Sequence, residues 1–216
     1  MEFNAKKVLF ISAHADDAEF GCGGVITKLA NSGVHITSVV FSGCEDAADP
    51  KHPKDIRRKE CVNASKIVGI QDLRILDFPV RKLPAYRQEI LQYLYDLRKE
   101  THFDIVFTHW EKDVHQDHAV IAHEAFRAFK GTKSTLLSYE VPLDCQGFSP
   151  NVFVPLTKKE VETKLKALWE YKSELERRPY FSRKSLEANM RYRGPFVGEE
   201  FAEAFEMRIM YIEEFR

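Results

Sequence analysis

Between Lys7 and Val141, short apolar runs rich in β-branched residues alternate with longer segments whose apolar positions recur at three and four. This alternation restricts the fold more than any other feature of the chain. Lys7–Ser12, Val34–Phe41, Leu73–Leu76, Asp104–Thr108 and Thr135–Val141 read as strands. Gly21–Asn31 reads as a helix with Val25, Ile26, Leu29 and Ala30 on one face, stopped by Asn31-Ser32-Gly33. Pro53–Val68 follows as a charged amphipathic helix with proline near its first turn. Tyr86–Lys99, with Ile90, Leu91, Leu94 and Leu97 in line, and Asp117–Phe129 are the next two. The rhythm predicts an α/β fold with a mostly parallel twisted sheet and helices on both faces. Beyond it, the pattern predicts helices over Lys158–Leu175 and Ser182–Arg191 and a late strand over Phe205–Ile212. No linker divides the chain, so residues 1–216 are expected to form one domain.

Composition narrows the function classes. Thirty-two Lys+Arg against 33 Asp+Glu leave a formal net charge of -1, which gives no field for nucleic acid or anionic membrane. The longest apolar runs, such as Val8–Ile11, are far too short to span a bilayer. Glu2, Asn4 and two lysines precede only a brief apolar stretch, which is not a signal-peptide pattern. Cys22, Cys44, Cys61 and Cys145 form no C-x-x-C pair, so neither a zinc knuckle nor a disulfide framework is expected, and the default location is a reducing cytoplasm.

Sheets of this kind bind ligands outside the carboxyl ends of their strands, where strand order reverses. In the order 3-2-1-4-5 the first and fourth strands are neighbours across that point. Two polar clusters follow those strands: His14-Ala15-Asp16-Asp17 and His115-Gln116-Asp117-His118. The topology brings them face to face. His14 and Asp17, like His115 and His118, are three positions apart, which puts both side chains on one side of a turn or helix start. A hydrolytic zinc site needs about three N/O ligands and an open position for water, whose pKa the metal lowers to about 7. One adjacent carboxylate can take that water's proton, and one imidazole can stabilise the oxyanion and protonate the leaving amine. Each cluster alone has a plainer reading, in which Asp16, Asp17 or Asp117 caps the following helix. It is their joint position at two neighbouring strand ends that favours catalysis. Gly21-Cys22-Gly23-Gly24 lacks the lysine and spacing of a phosphate loop and reads as close helix–sheet packing.

At these residues the sequence resembles the PIG-L/LmbE family of metal-dependent N-acetylglucosamine deacetylases. The first family motif stands as Ala13-His14-Ala15-Asp16-Asp17-Ala18-Glu19-Phe20-Gly21-Cys22-Gly23-Gly24, and the second, His-x-Asp-His, as His115-Gln116-Asp117-His118. Arg57, Glu60 and Ala64 match an intervening helix, and Arg193-Gly194, Gly198 and Phe201–Phe205 a late segment. The resemblance implies a Rossmann-like three-layer sandwich. It implies that His14, Asp17 and His118 bind Zn²⁺, with Fe²⁺, Co²⁺ or Mn²⁺ as alternatives for such donors. It further implies Asp16 as general base acting on zinc-bound water. His115 becomes oxyanion stabiliser and general acid, with Asp117 orienting it or tuning its pKa, and Arg57 faces substrate. The implied reaction removes acetyl from an N-acetylated amino sugar or its conjugate, a small-molecule substrate. Relatives that assemble also leave homo-oligomers as an expectation.

Two departures stand out. Ala15 replaces the usual proline, and Phe78-Pro79-Val80-Arg81-Lys82 replaces a Phe-Pro-Asp-Gly loop. Arg81 and Lys82 are therefore candidates to meet an anionic part of the substrate, with a solvated basic loop as the alternative. His109, at the end of the fourth strand, is a candidate substrate contact or support. Cleavage of a larger acyl group from a thiol or glycosyl conjugate, and carbohydrate binding without catalysis on the same scaffold, remain the competing functions.

Overall fold

A computed structural model describes residues 5–178 and 182–213. Glu2 and Asn4, on which the leader reading drew, lie outside the described residues. The elements run β1 (Lys7–Ser12), α1 (Asp17–Asn31), β2 (His35–Val40), α2 (Ile56–Val68), β3 (Asp72–Ile75), α3 (Arg87–Glu100), β4 (Ile105–His109), α4 (Gln116–Phe129), β5 (Thr135–Tyr139), β6 (Val152–Pro155), α5 (Lys158–Leu168), α6 (Lys172–Arg177), α7 (Arg183–Arg193) and β7 (Ala202–Ile209).

They build one seven-stranded sheet in the order β3-β2-β1-β4-β5-β7-β6. The first five strands are parallel, in the arrangement the sequence predicts, and β7 and β6 extend the sheet antiparallel. Alternation along β1 makes the three layers. Val8 and Phe10 face a core that includes Ala18, Cys22 and Ile26 of α1 and Leu165 of α5. Leu9 and Ile11 face the other core, with Leu91 and Leu94 of α3 and Ile121 and Ala125 of α4. Helices α1 and α4 thus leave their strands toward opposite faces, which defines the switch point. Pairing between β1 and β4 ends at Phe10↔Phe107, and the two strands part beyond it. The crevice that opens there is where the polar clusters lie.

Several element bounds differ from the sequence reading by a few residues; three of the differences have a packing or pairing cause, and one strand went unread. Helix α1 begins at Asp17, so Gly21, Gly23 and Gly24 lie inside it. A Cβ on these glycines would come within 2.3 Å of the Tyr139 ring, 2.8 Å of Lys164 and 2.4 Å of Leu156. Close packing there outweighs the poor helix propensity of glycine. The stretch expected as one helix over Lys158–Leu175 breaks before Lys172. Tyr171 is buried at the break and its hydroxyl donates to the Ala15 carbonyl at 2.6 Å. The late strand begins at Ala202 rather than Phe205, because Ala202–Phe205 pair with β6. Strand β6 itself went unread: it has four residues, ends on Pro155 and lies at the sheet edge, where proline is tolerated. Among the described residues no helix is long and apolar enough to cross a membrane.

Candidate metal centre

The ends of β1 and β4 and the starts of α1 and α4 deliver the two clusters to a solvent-open cleft of about 570 Å³. His14 Nδ1 lies 3.0 Å from His118 Nε2 and 3.5 Å from Asp17 Oδ2, and His118 Nε2 lies 3.4 Å from Asp17 Oδ1. Ligand atoms about 2.0–2.2 Å from a tetrahedral ion stand roughly 3.4 Å apart, close to these separations.

The opposite nitrogens fix the chemistry of this donor set. His118 Nδ1 meets Asp113 Oδ2 at 2.9 Å, and His14 Nε2 meets Asp117 Oδ2 at 3.0 Å. Each carboxylate takes the N–H of its ring, so each ring turns a lone pair toward the other and toward the Asp17 carboxylate. Two lone pairs and a carboxylate converging in a buried place require a positive charge between them. Burial pushes the Asp17 carboxyl up, but His118, His109 and His14 more than offset this and hold it well below the usual carboxylate range. Burial lowers the basicity of His118, yet Asp17 and Asp113 carry it up to about 10. The field that would hold a proton there suits a divalent cation equally. The donor set therefore fits a metal of the zinc type.

Other combinations also approach. His14, His115 and His118 offer ring nitrogens within 4.8 Å of one another, as do the ligand atoms of Asp17, His109 and His118, and of Asp113, His118 and Asp144. In the first, His115 is engaged otherwise: its Nδ1 accepts the Asp117 N–H at 3.2 Å and caps α4. In the second, His109 Nε2 already accepts the Ala13 N–H at 3.0 Å. In the third, Asp113 already holds the Nδ1 proton of His118.

The plain capping readings fail for both clusters. Asp16 stands at the N-cap of α1 but makes no side-chain cap bond. Asp16 lines the cleft, and none of the hydrogen bonds among the described residues reaches its carboxylate. Asp117 does not cap α4 either. Its carboxylate takes the His14 ring, the Arg81 N–H at 2.6 Å and the Leu83 N–H at 3.3 Å. The Asp117 carboxylate thus takes the His14 ring rather than the His115 ring, which Asp117 meets through its backbone N–H and through the charge that raises the basicity of His115. His115 lines the cleft, and burial together with the His14 and His118 charges lowers it to about 4, so the ring is neutral near pH 7. With Nδ1 accepting, the proton of that neutral ring sits on Nε2.

Of the residues read as substrate contacts, Arg57 and Arg81 line the cleft. His109 does not, which leaves support of the site as the one of the two roles read for it that its position allows. It is fully buried where β1 and β4 part, stacked on His118 with ring centroids 4.0 Å apart. Its Nε2 takes the Ala13 N–H that the parted strands leave without a ladder partner, and it lies 3.1 Å from Asp17 Oδ2. Burial and the His118 charge lower it to about 4. His109 is a prop beneath the centre.

Sequence reasoning missed Asp113. One of its oxygens holds His118, and the other accepts the His115 N–H at 2.8 Å. An aspartate two residues before a histidine is the signature of an Asx turn and was the available signal. It also missed Glu174, Arg177 and Arg178 on the cleft wall, because they sit past a helix break that periodicity did not show.

The family model described as PIG-L, GlcNAc-PI de-N-acetylase, matches residues 9–129, a span that holds both clusters. A protein of Escherichia coli (strain K12) described as uncharacterized deacetylase YaiS is 31% identical over 177 residues, covering 78% of this chain and 91% of that protein. The chain belongs to the PIG-L family, a family of deacetylases. The diacetylchitobiose deacetylase of Thermococcus kodakarensis is 32% identical over 102 residues, 45% of this chain and 38% of that protein. The crystal structure of N,N'-diacetylchitobiose deacetylase from Pyrococcus horikoshii, complexed with its inhibitor MPG, superposes with a TM-score of 0.79 at 25% identity. It covers 96% of this chain and 85% of that one.

Proposed function

We propose that this chain removes the N-acetyl group from an N-acetylated amino sugar or its conjugate, releasing acetate and a free amine. The observation that carries the proposal is the convergence of His14, Asp17 and His118 beside the unengaged carboxylate of Asp16. The curated diacetylchitobiose deacetylase similar to this chain supports an acetamido sugar as the substrate class. His14, Asp17 and His118 would hold the cation, zinc by preference for these donors.

A cation bound there polarises the acetamide carbonyl and makes water acidic enough to attack at neutral pH. Asp16, at the cleft wall, takes the proton from the attacking water. The Nε2–H of His115 donates to the oxyanion that develops as the carbonyl carbon becomes tetrahedral. Collapse of that carbon breaks the C–N bond, and the proton that Asp16 took from the water passes to the departing amine nitrogen, while the neutral His115 ring keeps its own. Asp117 and Asp113 keep the His14 and His118 rings turned the right way. Arg57, nearly buried in the wall, faces the sugar.

The ligand triad in one cleft with the unengaged Asp16 carboxylate and a neutral imidazole favours hydrolysis over carbohydrate binding alone. The test is an acetate-release screen over N-acetyl sugars, sugar phosphates and glycosyl conjugates, with chelation and zinc add-back. Release that stops on chelation and returns with zinc is expected. Absence of release from every acetamide, alongside cleavage of longer acyl conjugates, would replace this reading with a general amidase.

A further inference from the structure

Four carboxylates line the cleft, those of Asp16, Asp17, Asp144 and Glu174. Three of them are accounted for. At the floor, Asp17 belongs to the donor set with His14 and His118, and Asp16 is the base of the proposed reaction. At the mouth, Glu174 pairs with Arg57, Arg177 and Arg178. Asp144 is left over. Its side chain is half-buried, and none of the hydrogen bonds or ion pairs among the described residues reaches its carboxylate.

The backbone that presents this carboxylate is nevertheless pinned. The Asp144 N–H donates to the Val141 carbonyl at 2.9 Å, and the Asp144 carbonyl accepts the Val114 N–H at 3.0 Å. The next residue, Cys145, is buried, and its thiol donates to Asp113 Oδ2 at 3.3 Å, the same oxygen that holds the His118 ring. A carboxylate oxygen of Asp144 comes within 4.8 Å of a His118 ring nitrogen and of an Asp113 oxygen. Burial pushes the Asp144 carboxyl above its usual range, and the Asp113 and Asp17 charges add to that against the pull of His118 and Arg178. A fixed backbone that holds an unpaired carboxylate near two others does nothing for the fold. It suits a ligand that brings its own hydrogen-bond donor.

Resting on the deacetylase reading of the same cleft, we infer that Asp144 is a specificity-determining contact, which accepts the hydroxyl on the sugar carbon next to the one bearing the acetamido group. The acetamide goes down to the floor. The substrate groups within reach of a side chain beside His118 are then those on the two carbons flanking the acetamido carbon. In a glycoside of a 2-acetamido sugar, one of these oxygens is tied up in the glycosidic bond, which leaves the 3-hydroxyl. An ionised carboxylate accepts and does not donate, so a hydrogen in place of that hydroxyl leaves it without a partner.

The test crosses the side chain with the hydroxyl, on zinc-loaded protein, by acetate release and by calorimetry. The probes are the methyl glycoside of N-acetylglucosamine and its 3-deoxy counterpart, both uncharged and identical at the acetamide. A charge-assisted hydrogen bond predicts that the parent prefers the hydroxylated probe by about 10–100-fold. In Asp144→Ala the preference should shrink to about threefold or less, through loss on the hydroxylated probe alone. Asp144→Asn, whose amide oxygen still accepts, should keep part of it. Both variants should hold parental zinc and melt at the parental midpoint, so a purely structural role would not give the same result.

A parent that releases acetate equally from both probes overturns the inference and leaves the deacetylase reading standing. A preference that survives in Asp144→Ala overturns it too, because another group then reads the hydroxyl. So does loss of zinc in Asp144→Asn, which would make the residue part of the metal centre. Tighter binding of the hydroxylated probe that depends on Asp144, without acetate release, upholds the inference and removes the deacetylase reading. Neither binding nor release of either probe removes both.

Discussion

The floor and the mouth of the cleft are built by different rules. At the floor each group is fixed by a second one: the His14 ring by Asp117, the His118 ring by Asp113, and the Ala13 N–H by His109. All lie at the ends of β1 and β4, on the turns just beyond or in the first turns of α1 and α4, so the sheet and the two helices packed on it set their separations. At the mouth, Arg81 sits on a loop and Arg177 and Arg178 on and after a six-residue helix, and one glutamate serves several partners. A rigid floor suits chemistry that one misplaced ligand ruins. An adaptable mouth suits discrimination among substrates that share an acetamide.

If that division is right, the floor should fail abruptly when altered. His118→Ala should lose the metal and, with it, all measurable turnover, read by metal analysis of the purified protein together with acetate release. Zinc retained at parental content would show that the ligand set is wrong. Asp16→Asn should keep its metal and lose about 10²–10⁴ in kcat. Turnover within tenfold of the parent would move the proton to another group.

Beneath the floor, the buried pair of Lys164 and Glu203 grips α1. Glu203 accepts the Gly24 and Val25 N–H groups at 2.9 and 2.7 Å, while Lys164 Nζ donates to Glu203 at 2.6 Å and to the Phe20 carbonyl at 2.7 Å. Lys164→Met strands the glutamate charge and should cost about 3–5 kcal/mol in denaturant unfolding. Replacing both partners by apolar residues should cost less than the single change. Equal losses would mean that the pair acts through packing alone.

Asp117→Asn is a milder insult. It should weaken zinc binding about 10–100-fold by loosening the His14 ring, measured by chelator competition. An unchanged affinity would mean that α4 holds the ring without the carboxylate.

How much of this was legible in the chain divides along the same line. Strand order and the meeting of His14 with His118 follow from rhythm and motif, because parallel strands with alternating helices allow few topologies. What could not be read depended on contacts distant in sequence. The Asp117 carboxylate belongs to His14, 103 positions earlier, although it lies two positions from His115 in the chain. His109 ends a strand like a site residue, yet parting strands bury it as a backbone partner. The glycines of α1 were legible as close packing but their partners were not, because the ring of Tyr139 and the stems of Lys164 and Leu156 come from β5, α5 and the chain between β6 and α5. Glu174 follows a helix break that the buried Tyr171 hydroxyl determines by reaching Ala15.

The smallest effect bears most directly on the mouth. Arg81 adopts φ 67, a conformation that costs an L-residue about 1–2 kcal/mol and glycine almost none. Arg81→Gly keeps the N–H that Asp117 accepts and the carbonyl that Gln116 reaches, so the loop retains both anchors. Against the relief stands the larger entropy of an unfolded glycine, roughly 0.5–1 kcal/mol. The net expectation is a stability equal to the parent or higher by up to about 1 kcal/mol, with weaker substrate binding. Such a pair of changes would show a side chain kept for its ligand against the preference of its own backbone. A clear loss of stability would show instead that the Arg81 side chain supports the fold, and the contrast between a structural floor and a ligand-serving mouth would have to be drawn elsewhere.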